Sequence, residues 1–126
     1  MKSYKNQKGQ TLVILLVYMV MAIIVTTAAV SMVLVNSRGA DKLLQGTTAY
    51  DVAESGAETA MVKLLRDTSY AGETLSVAGG TAVITVSGTS TKTIVSKGTL
   101  NNFTRSVEVT ATNVNNVLTV TSWKEL

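Results

Sequence analysis

The chain has 126 residues, of which 46% are hydrophobic and 15% charged, and it contains no cysteine, histidine or proline. Without cysteine or histidine it has no disulfide framework, no thiolate metal site and no ordinary nucleophile–histidine pair, so we predict no enzyme activity, no metal and no cofactor. Its 11 bases and eight acids give a formal net charge of +3, and the length leaves room for one compact domain.

Residues 1–9 form a short basic stretch that holds Lys2, Lys5 and Lys8 and no acid. Because basic residues stay on the cytoplasmic side of a membrane, we expect the N-terminus inside and everything after Arg38 outside. These three lysines account for the whole net charge, since the rest of the chain has eight bases and eight acids. A neutral remainder gives no electrostatic reason to bind nucleic acid, and no specific nucleic-acid partner is predicted.

An apolar segment follows, and its 27 residues at positions 11–37 carry no charge. As a helix it would extend roughly 40 Å, which exceeds the hydrocarbon core of about 30 Å. Leu, Ile and Val supply 14 of these residues, and each favours insertion by about 0.3–0.6 kcal/mol. A soluble helix this apolar on every face needs burial all round, and the remaining chain is too small to supply it. We therefore predict a single transmembrane helix.

Residues 38–67 have the pattern of an amphipathic helix, because small or apolar residues recur every three or four positions with charged residues between them. No proline separates this stretch from the apolar segment, so we predict one continuous helix over residues 11–67. The predicted apolar face consists of Leu43, Thr47, Tyr50, Ala53, Ala57, Met61 and Leu64.

From residue 68 to residue 126, threonine and apolar residues alternate, which is typical of β-strands. Short turn-forming pairs divide these strands and favour an antiparallel meander. The predicted turns are Gly79-Gly80, Ser87-Gly88, Asn101-Asn102 and Asn113 to Asn116. The predicted strands are Thr74–Val77, Thr81–Ser87, Thr93–Lys97, Phe103–Thr112 and Val117–Trp123.

The fourth predicted strand separates apolar from polar residues by alternation, with Phe103, Val107, Val109 and Ala111 on one face. A sheet with one apolar face needs a cover, and the amphipathic helix is the only one available. The predicted fold class is therefore α+β, a long N-terminal helix packed on a small antiparallel sheet of four or five strands. We expect Tyr50 and Trp123 to be core anchors. Ser96 and Lys97 fall on opposite faces of a strand, which argues against Ser/Lys catalysis.

The residues Lys8-Gly9-Gln10-Thr11-Leu12, directly before the apolar segment, resemble the cleavage site of type IV pilins, whose class III signal peptide is a short basic leader ending in glycine. The stretch from Ala53 to Glu58, Ala-Glu-Ser-Gly-Ala-Glu, is similar to a helix motif of minor and Gram-positive-type pilins. This resemblance implies cleavage between Gly9 and Gln10 by a membrane prepilin peptidase and methylation of the new N-terminus at Gln10.

The resemblance also implies a domain organisation and a function. The expected parts are a leader over residues 1–9, a transmembrane and filament-core helix over 10–37, an amphipathic helix over 38–67 and a β-domain over 68–126. We expect a bacterial single-span precursor in the cytoplasmic membrane that polymerises with itself or with other pilins at an assembly platform, giving an extracellular filament for adhesion, motility or DNA uptake. The alternatives are a minor pilin or pseudopilin of a secretion or competence apparatus, and an unprocessed single-span protein that presents a β binding domain.

One position departs from the family pattern. Most major pilins carry glutamate at the fifth mature position, which here is Ile14. A carboxylate at membrane depth is costly unless it is paired, so isoleucine eases insertion but removes the usual docking signal. The departure implies either a minor or tip-like subunit or a filament that assembles by packing, with the Gln10 amide or Thr11 hydroxyl near a neighbour's amine. Thr11, Leu12 and Ile14 are the expected assembly residues.

The charged residues of the amphipathic stretch allow two interpretations. Glu54 and Glu58 most simply form a solvated helix face. The alternative is that they make intersubunit salt bridges to Arg38 or Lys42 of a neighbouring copy.

Overall fold

A computed structural model describes the backbone of residues 7–126 and the side chains from Gly9 onward. One helix is followed by five strands, which confirms the predicted α+β fold. The elements are α1 (Gln7–Arg66), β1 (Gly72–Val77), β2 (Gly80–Ser87), β3 (Thr91–Leu100), β4 (Phe103–Val114) and β5 (Val117–Glu125). The chain forms two compact units, one ending at Ala40 and the other covering Asp41–Leu126.

The sheet in the unit Asp41–Leu126 is an antiparallel meander, with the strands side by side in the order β1-β2-β3-β4-β5. Tight turns join each strand to the next, and several of them use residues with positive φ. Asn115 and Asn116, at φ 54° and 63°, form the β4–β5 turn, and Asn101 at φ 51° begins the β3–β4 turn, as the asparagine pairs predicted. The first hairpin turns at Ala78 and Gly79, one residue earlier than predicted, because Gly80 already pairs with Val77.

The core lies between one face of the sheet and the C-terminal half of α1. The predicted inner face of β4 is confirmed, since Val107, Val109 and Ala111 are fully buried. Ser96 is buried and Lys97 is exposed, as the alternation predicted. The central cluster consists of Ala53, Ala57, Ala60, Leu64, Ile84, Ile94, Val107 and Val109.

Glycine and alanine bring the helix and the sheet unusually close together. A methyl group built at Gly98 would lie 3.0 Å from Ala53 Cα and still closer to the carbonyl oxygen of Ala49. A methyl group at Gly56 would lie 2.9 Å from the Ala82 side chain and closer still to Ser96 Oγ. Ser96 Oγ is buried and has no hydrogen-bond partner among the described residues. The helix therefore rests directly on the backbone of the central strands.

The predicted buried face of the helix is confirmed at Ala53, Ala57 and Leu64 and is wrong at its N-terminal end. Leu43 is 73% exposed and Thr47 is exposed, whereas Gly46 and Ala49 are buried. The prediction followed side-chain size, but the close approach of Gly98 to the helix backbone at Ala49 favours a small side chain there. The helix ends at Arg66 because the Asp67 carboxylate accepts hydrogen bonds from the backbone N–H and the hydroxyl of Ser69, which turns the chain.

The two expected aromatic anchors lie nearer the surface than predicted. Tyr50 is half-buried against the core cluster, and Trp123 is 37% exposed, so it is not a core residue. Trp123 pairs with Val109 of β4 but sits on β5, the last strand of the sheet, where no further strand covers it among the described residues.

The outer face of the sheet is rich in threonine. Strand register places these hydroxyls in cross-strand rows; Thr81, Thr99 and Thr104, for example, are direct neighbours on β2, β3 and β4. Glu108 and Lys124 are also on this face and form an ion pair at 2.9 Å. The outer-face threonines are Thr74, Thr81, Thr85, Thr91, Thr93, Thr99, Thr104, Thr110, Thr112 and Thr119.

Candidate functional site

The predicted cleavage site lies on the first turns of α1. Gly9, Gln10 and Thr11 are exposed, and a methyl group added at Gly9 would meet nothing within 4 Å. Leu12 is 66% and Ile14 is 63% exposed. The structure therefore presents these residues along an open helix surface. Lys2 and Lys5 of the predicted leader lie outside the described residues.

The apolar segment of α1 is exposed along its whole described length, residues 9–40. In the part of the chain that the structure describes, this is the one helix that is long and apolar enough to cross a membrane. Three of its hydroxyl groups need no water, since they bond a carbonyl one turn back: Thr26 to Ala22 at 2.8 Å, Thr27 to Ile23 at 2.7 Å and Ser31 to Thr27 at 2.8 Å. Such internal bonding makes threonine and serine compatible with a hydrocarbon environment.

A hollow of about 390 Å³ interrupts this apolar surface. Its lining residues all lie within about one turn of Ala22, which is the smallest of them. The lining residues are Tyr18, Met21, Ala22, Val25 and Thr26. This hollow was not predicted from the sequence. The four-residue spacing of Tyr18, Ala22 and Thr26 does place them on adjoining parts of one helix surface.

The four charged residues considered for intersubunit pairing are distributed along the helix. Arg38, Lys42 and Glu58 are exposed, and Glu54 is half-buried. Within residues 7–126 the ion pairs are Lys63–Glu73, Arg105–Glu125 and Lys124–Glu108. Glu54, Glu58, Arg38 and Lys42 therefore form no ion pair among the residues that the structure describes, and their pairing between copies stays a prediction.

A polar cluster connects the C-terminal end of α1 to β1, and it was not predicted from the sequence. Lys63 forms an ion pair with Glu73, and the Tyr70 hydroxyl donates to the same carboxylate oxygen at 2.9 Å. The Lys63 ammonium also lies 5.5 Å from the centre of the Tyr70 ring. Burial, together with the bond to Glu73 and its negative charge, raises the pKa of Tyr70 to about 12. The hydrogen bonds from Lys63 and Tyr70 lower the pKa of Glu73.

We expect this cluster to make the unit Asp41–Leu126 less stable at acid pH. The pKa of Glu73 is lower in the folded chain than in the unfolded chain, so its contribution is complete above the unfolded value of about 4.3 and is lost as pH falls through the folded value. Thermal unfolding between pH 6 and pH 2 measures the effect. Glu73→Gln should flatten part of this dependence, whereas Glu58→Gln, at an exposed position with no partner, should leave it unchanged. Equal curves for the wild type and Glu73→Gln would contradict the assignment.

A second depression lies beside the N-terminal end of the helix within the unit Asp41–Leu126. It has a volume of about 280 Å³ between α1 and the start of β4. Two of the residues that line this depression pair with each other: Arg105 Nη1 donates a hydrogen bond to the Glu125 carboxylate at 3.0 Å, so their opposite charges compensate. The lining residues are Lys42, Leu43, Gly46, Thr47, Tyr50, Phe103, Arg105 and Glu125. This depression was not predicted from the sequence, because β4 and α1 are distant along the chain.

The chain matches no protein-family description, no curated protein and no solved structure. The functional conclusion therefore rests on the features of the chain itself: an uncharged, uncovered helical segment, the basic residues and glycine before it, and a compact α+β unit after it.

Proposed function

We propose that this chain is the structural subunit of a type IV pilus-like extracellular filament. It is made as a single-span membrane precursor with its N-terminus inside, is cut between Gly9 and Gln10, and is methylated at Gln10. The observation that carries the proposal is the uncharged helical segment at residues 11–37, whose side chains are exposed throughout. The resemblance of residues 8–12 to prepilin cleavage sites supports the same conclusion.

The free-energy cost of exposing this segment to water supports self-assembly as its function. Burying one Val, Leu or Ile side chain is worth about 1.5–3 kcal/mol relative to water. The segment has 14 such residues, so exposing it to water would cost tens of kcal/mol, more than the stability of a typical domain. It must lie in lipid or against other protein chains. Copies of the same segment supply that cover when the subunit leaves the membrane.

The unit Asp41–Leu126 is then the part of the subunit displayed outside the cell. Its outer sheet face carries threonine hydroxyls and the matched pair Glu108–Lys124, which suits a solvated fibre surface. In this proposal the filament serves adhesion, motility or DNA uptake. The prepilin peptidase and an assembly platform in the membrane are its partners during maturation.

Ile14 favours a second candidate function, a minor pilin or pseudopilin. The fifth mature residue has no carboxylate to pair with the N-terminal amine of a neighbour. A subunit that starts or caps a filament needs that docking contact less than one that extends it. This candidate shares the cleavage at Gly9 and the membrane segment with the first.

Intact-mass measurement of the native chain, combined with electron microscopy of sheared cells, tests the proposal. A chain that begins at methylated Gln10 and is the main component of fibres supports a major subunit. The same N-terminus in a chain that is scarce or missing in the fibres supports the minor subunit. A native chain that still begins at Met1 refutes both and leaves an unprocessed single-span protein with a displayed β-domain.

We expect Ile14→Glu to change incorporation into filaments without preventing membrane insertion. Ile14 is 63% exposed, so the carboxylate meets no steric obstacle, and a single charge costs about 2.5–3.5 kcal/mol against the favourable insertion of the rest of the segment. The ratio of fibre-bound to membrane-bound chain measures the effect, with Ile14→Leu as the control. Loss of insertion together with unchanged assembly of the remaining chains would contradict this account.

A further inference from the structure

Tyr18 is one of the polar residues of the apolar segment, and it carries the longest side chain among those with a hydroxyl group. Its side chain is 75% exposed, and within the described residues its hydroxyl donates to no acceptor. Thr26, Thr27 and Ser31 differ, because their short hydroxyls reach the carbonyl of the preceding turn. A tyrosine ring is too long and rigid to make that bond.

The depth of Tyr18 makes this unpaired donor costly. Tyr18 lies seven residues into the segment, or about 10 Å along the helix from residue 11. With residue 11 at the membrane boundary, that is roughly a third of the way across a hydrocarbon core of about 30 Å. A hydroxyl without an acceptor in such surroundings costs several kcal/mol, and membrane proteins usually satisfy it with a neighbouring helix.

The same helix surface carries a matching acceptor. The single Thr26 hydroxyl proton is shared between the carbonyls of Ala22 at 2.8 Å and Ile23 at 3.0 Å. Its oxygen lone pairs remain able to accept. Thr26 also lines the hollow over Ala22.

We propose that the hollow at Tyr18, Met21, Ala22, Val25 and Thr26 is a self-recognition site, in which the Tyr18 ring of one copy sits over Ala22 of a second copy and donates its hydroxyl to Thr26. The occupant is a second copy because the donor and the acceptor are both on this segment and both remain at membrane depth. This inference rests on the proposed self-assembly of residues 11–37 and adds the contact that sets its register.

The site is heterologous, since the donor of one copy meets the acceptor of another and leaves its own acceptor for the next. A heterologous contact repeated between parallel helices produces an open chain rather than a closed pair. Each added copy then satisfies one more Tyr18 hydroxyl, so growth of the assembly is favoured at every step.

The test measures association of the full chain in neutral lipid vesicles by energy transfer. The chain has no cysteine, so Thr89→Cys, at an exposed position between β2 and β3, accepts a donor or an acceptor dye without competing labels. We expect Tyr18→Phe and Thr26→Val each to weaken association about three- to tenfold. The double variant should be no weaker than either single variant, because both remove the same bond.

Two further variants complete the design. Ala22→Leu fills the hollow and should abolish the association that remains in Tyr18→Phe. Thr27→Val is the matched control, since Thr27 is a neighbouring threonine whose hydroxyl bonds Ile23 and which lies about 100° further around the helix; it should associate like the wild type.

Unchanged association of both Tyr18→Phe and Thr26→Val overturns the proposal and means that interfacial water satisfies the Tyr18 hydroxyl. Additive losses in the double variant also overturn it, because the two residues then act separately. Failure of the proposed function gives a different result: the native chain keeps Met1 and forms no fibre, while the coupling between Tyr18 and Thr26 in vesicles persists.

Discussion

Replacing Gly98 by alanine should destabilise the unit Asp41–Leu126 by about 2–3 kcal/mol or more. The added methyl group would overlap the carbonyl oxygen of Ala49 and the amide nitrogen of Ala53, which are backbone atoms of α1. Neither can rotate away, so the helix must move off the sheet and lose contact along its whole buried face. Overpacking of a well-packed core costs 1–3 kcal/mol or occasionally more, and obstruction by backbone places Gly98 at the upper end.

Unfolding of the detergent-solubilised chain, followed by the fluorescence of its single tryptophan, Trp123, measures this loss. Each 1 kcal/mol should lower Tm by about 4–8 °C for a unit of this size. Gly46→Ala is the matched control, because a methyl group there meets only the Arg105 side chain at 3.8 Å. Replacing glycine by alanine inside a helix should stabilise the folded unit by up to about 1 kcal/mol. Equal losses for the two variants would show that close approach to the sheet is not the cause.

Replacing Gly9 by alanine should block maturation almost completely. In the proposed function, the cut falls directly after Gly9, and we expect the peptidase to require the smallest side chain there. Gly9 is exposed, and a methyl group there touches nothing, so the variant should fold and insert normally. We expect full-length chain to accumulate in the membrane and filaments to be lost, as measured by intact mass and by electron microscopy.

Gly39→Ala provides the control for this experiment. Gly39 is also on α1, and a methyl group there likewise meets nothing within 4 Å. The two variants therefore place the same change in equally open surroundings and differ only in position along the chain. Gly39→Ala should be cut as efficiently as the wild type. Normal processing of Gly9→Ala would refute the assigned site.

The sequence predicted the architecture well because the strongest patterns are local. An uncharged run, a helical repeat and five alternating strands divided by asparagine or glycine turns each depend on neighbouring residues, and the α+β meander follows from them. The strands were predicted too short at several ends, since backbone pairing continues into residues such as Gly72 and Gly98–Leu100 that carry no alternating apolar signal.

The sequence predicted the buried helix face correctly from Ala53 to Leu64 but not in its first turns, because burial there depends on where the sheet lies. Leu43 has the size of a core residue, yet the sheet does not cover it, whereas Gly46 and Ala49 are buried. Trp123 was misplaced for a related reason: strand order, rather than residue type, puts β5 at the edge. The cluster of Lys63, Tyr70 and Glu73 was missed because its members lie on the helix, on the connection after it and on β1.

The two faces of the sheet leave very different freedom for sequence change. On the inner face, Gly98 and Ser96 are held by the helix that lies against them, and even one added carbon disturbs the contact. On the outer face, residues such as Thr85 and Thr93 lie on the side of the sheet that faces away from the helix. Side chains on the outer face of the sheet can therefore be substituted one position at a time, while the packing between the sheet and the helix stays constant. In the proposed filament, the outer chemistry of the fibre can then change without any change in the packing inside each subunit.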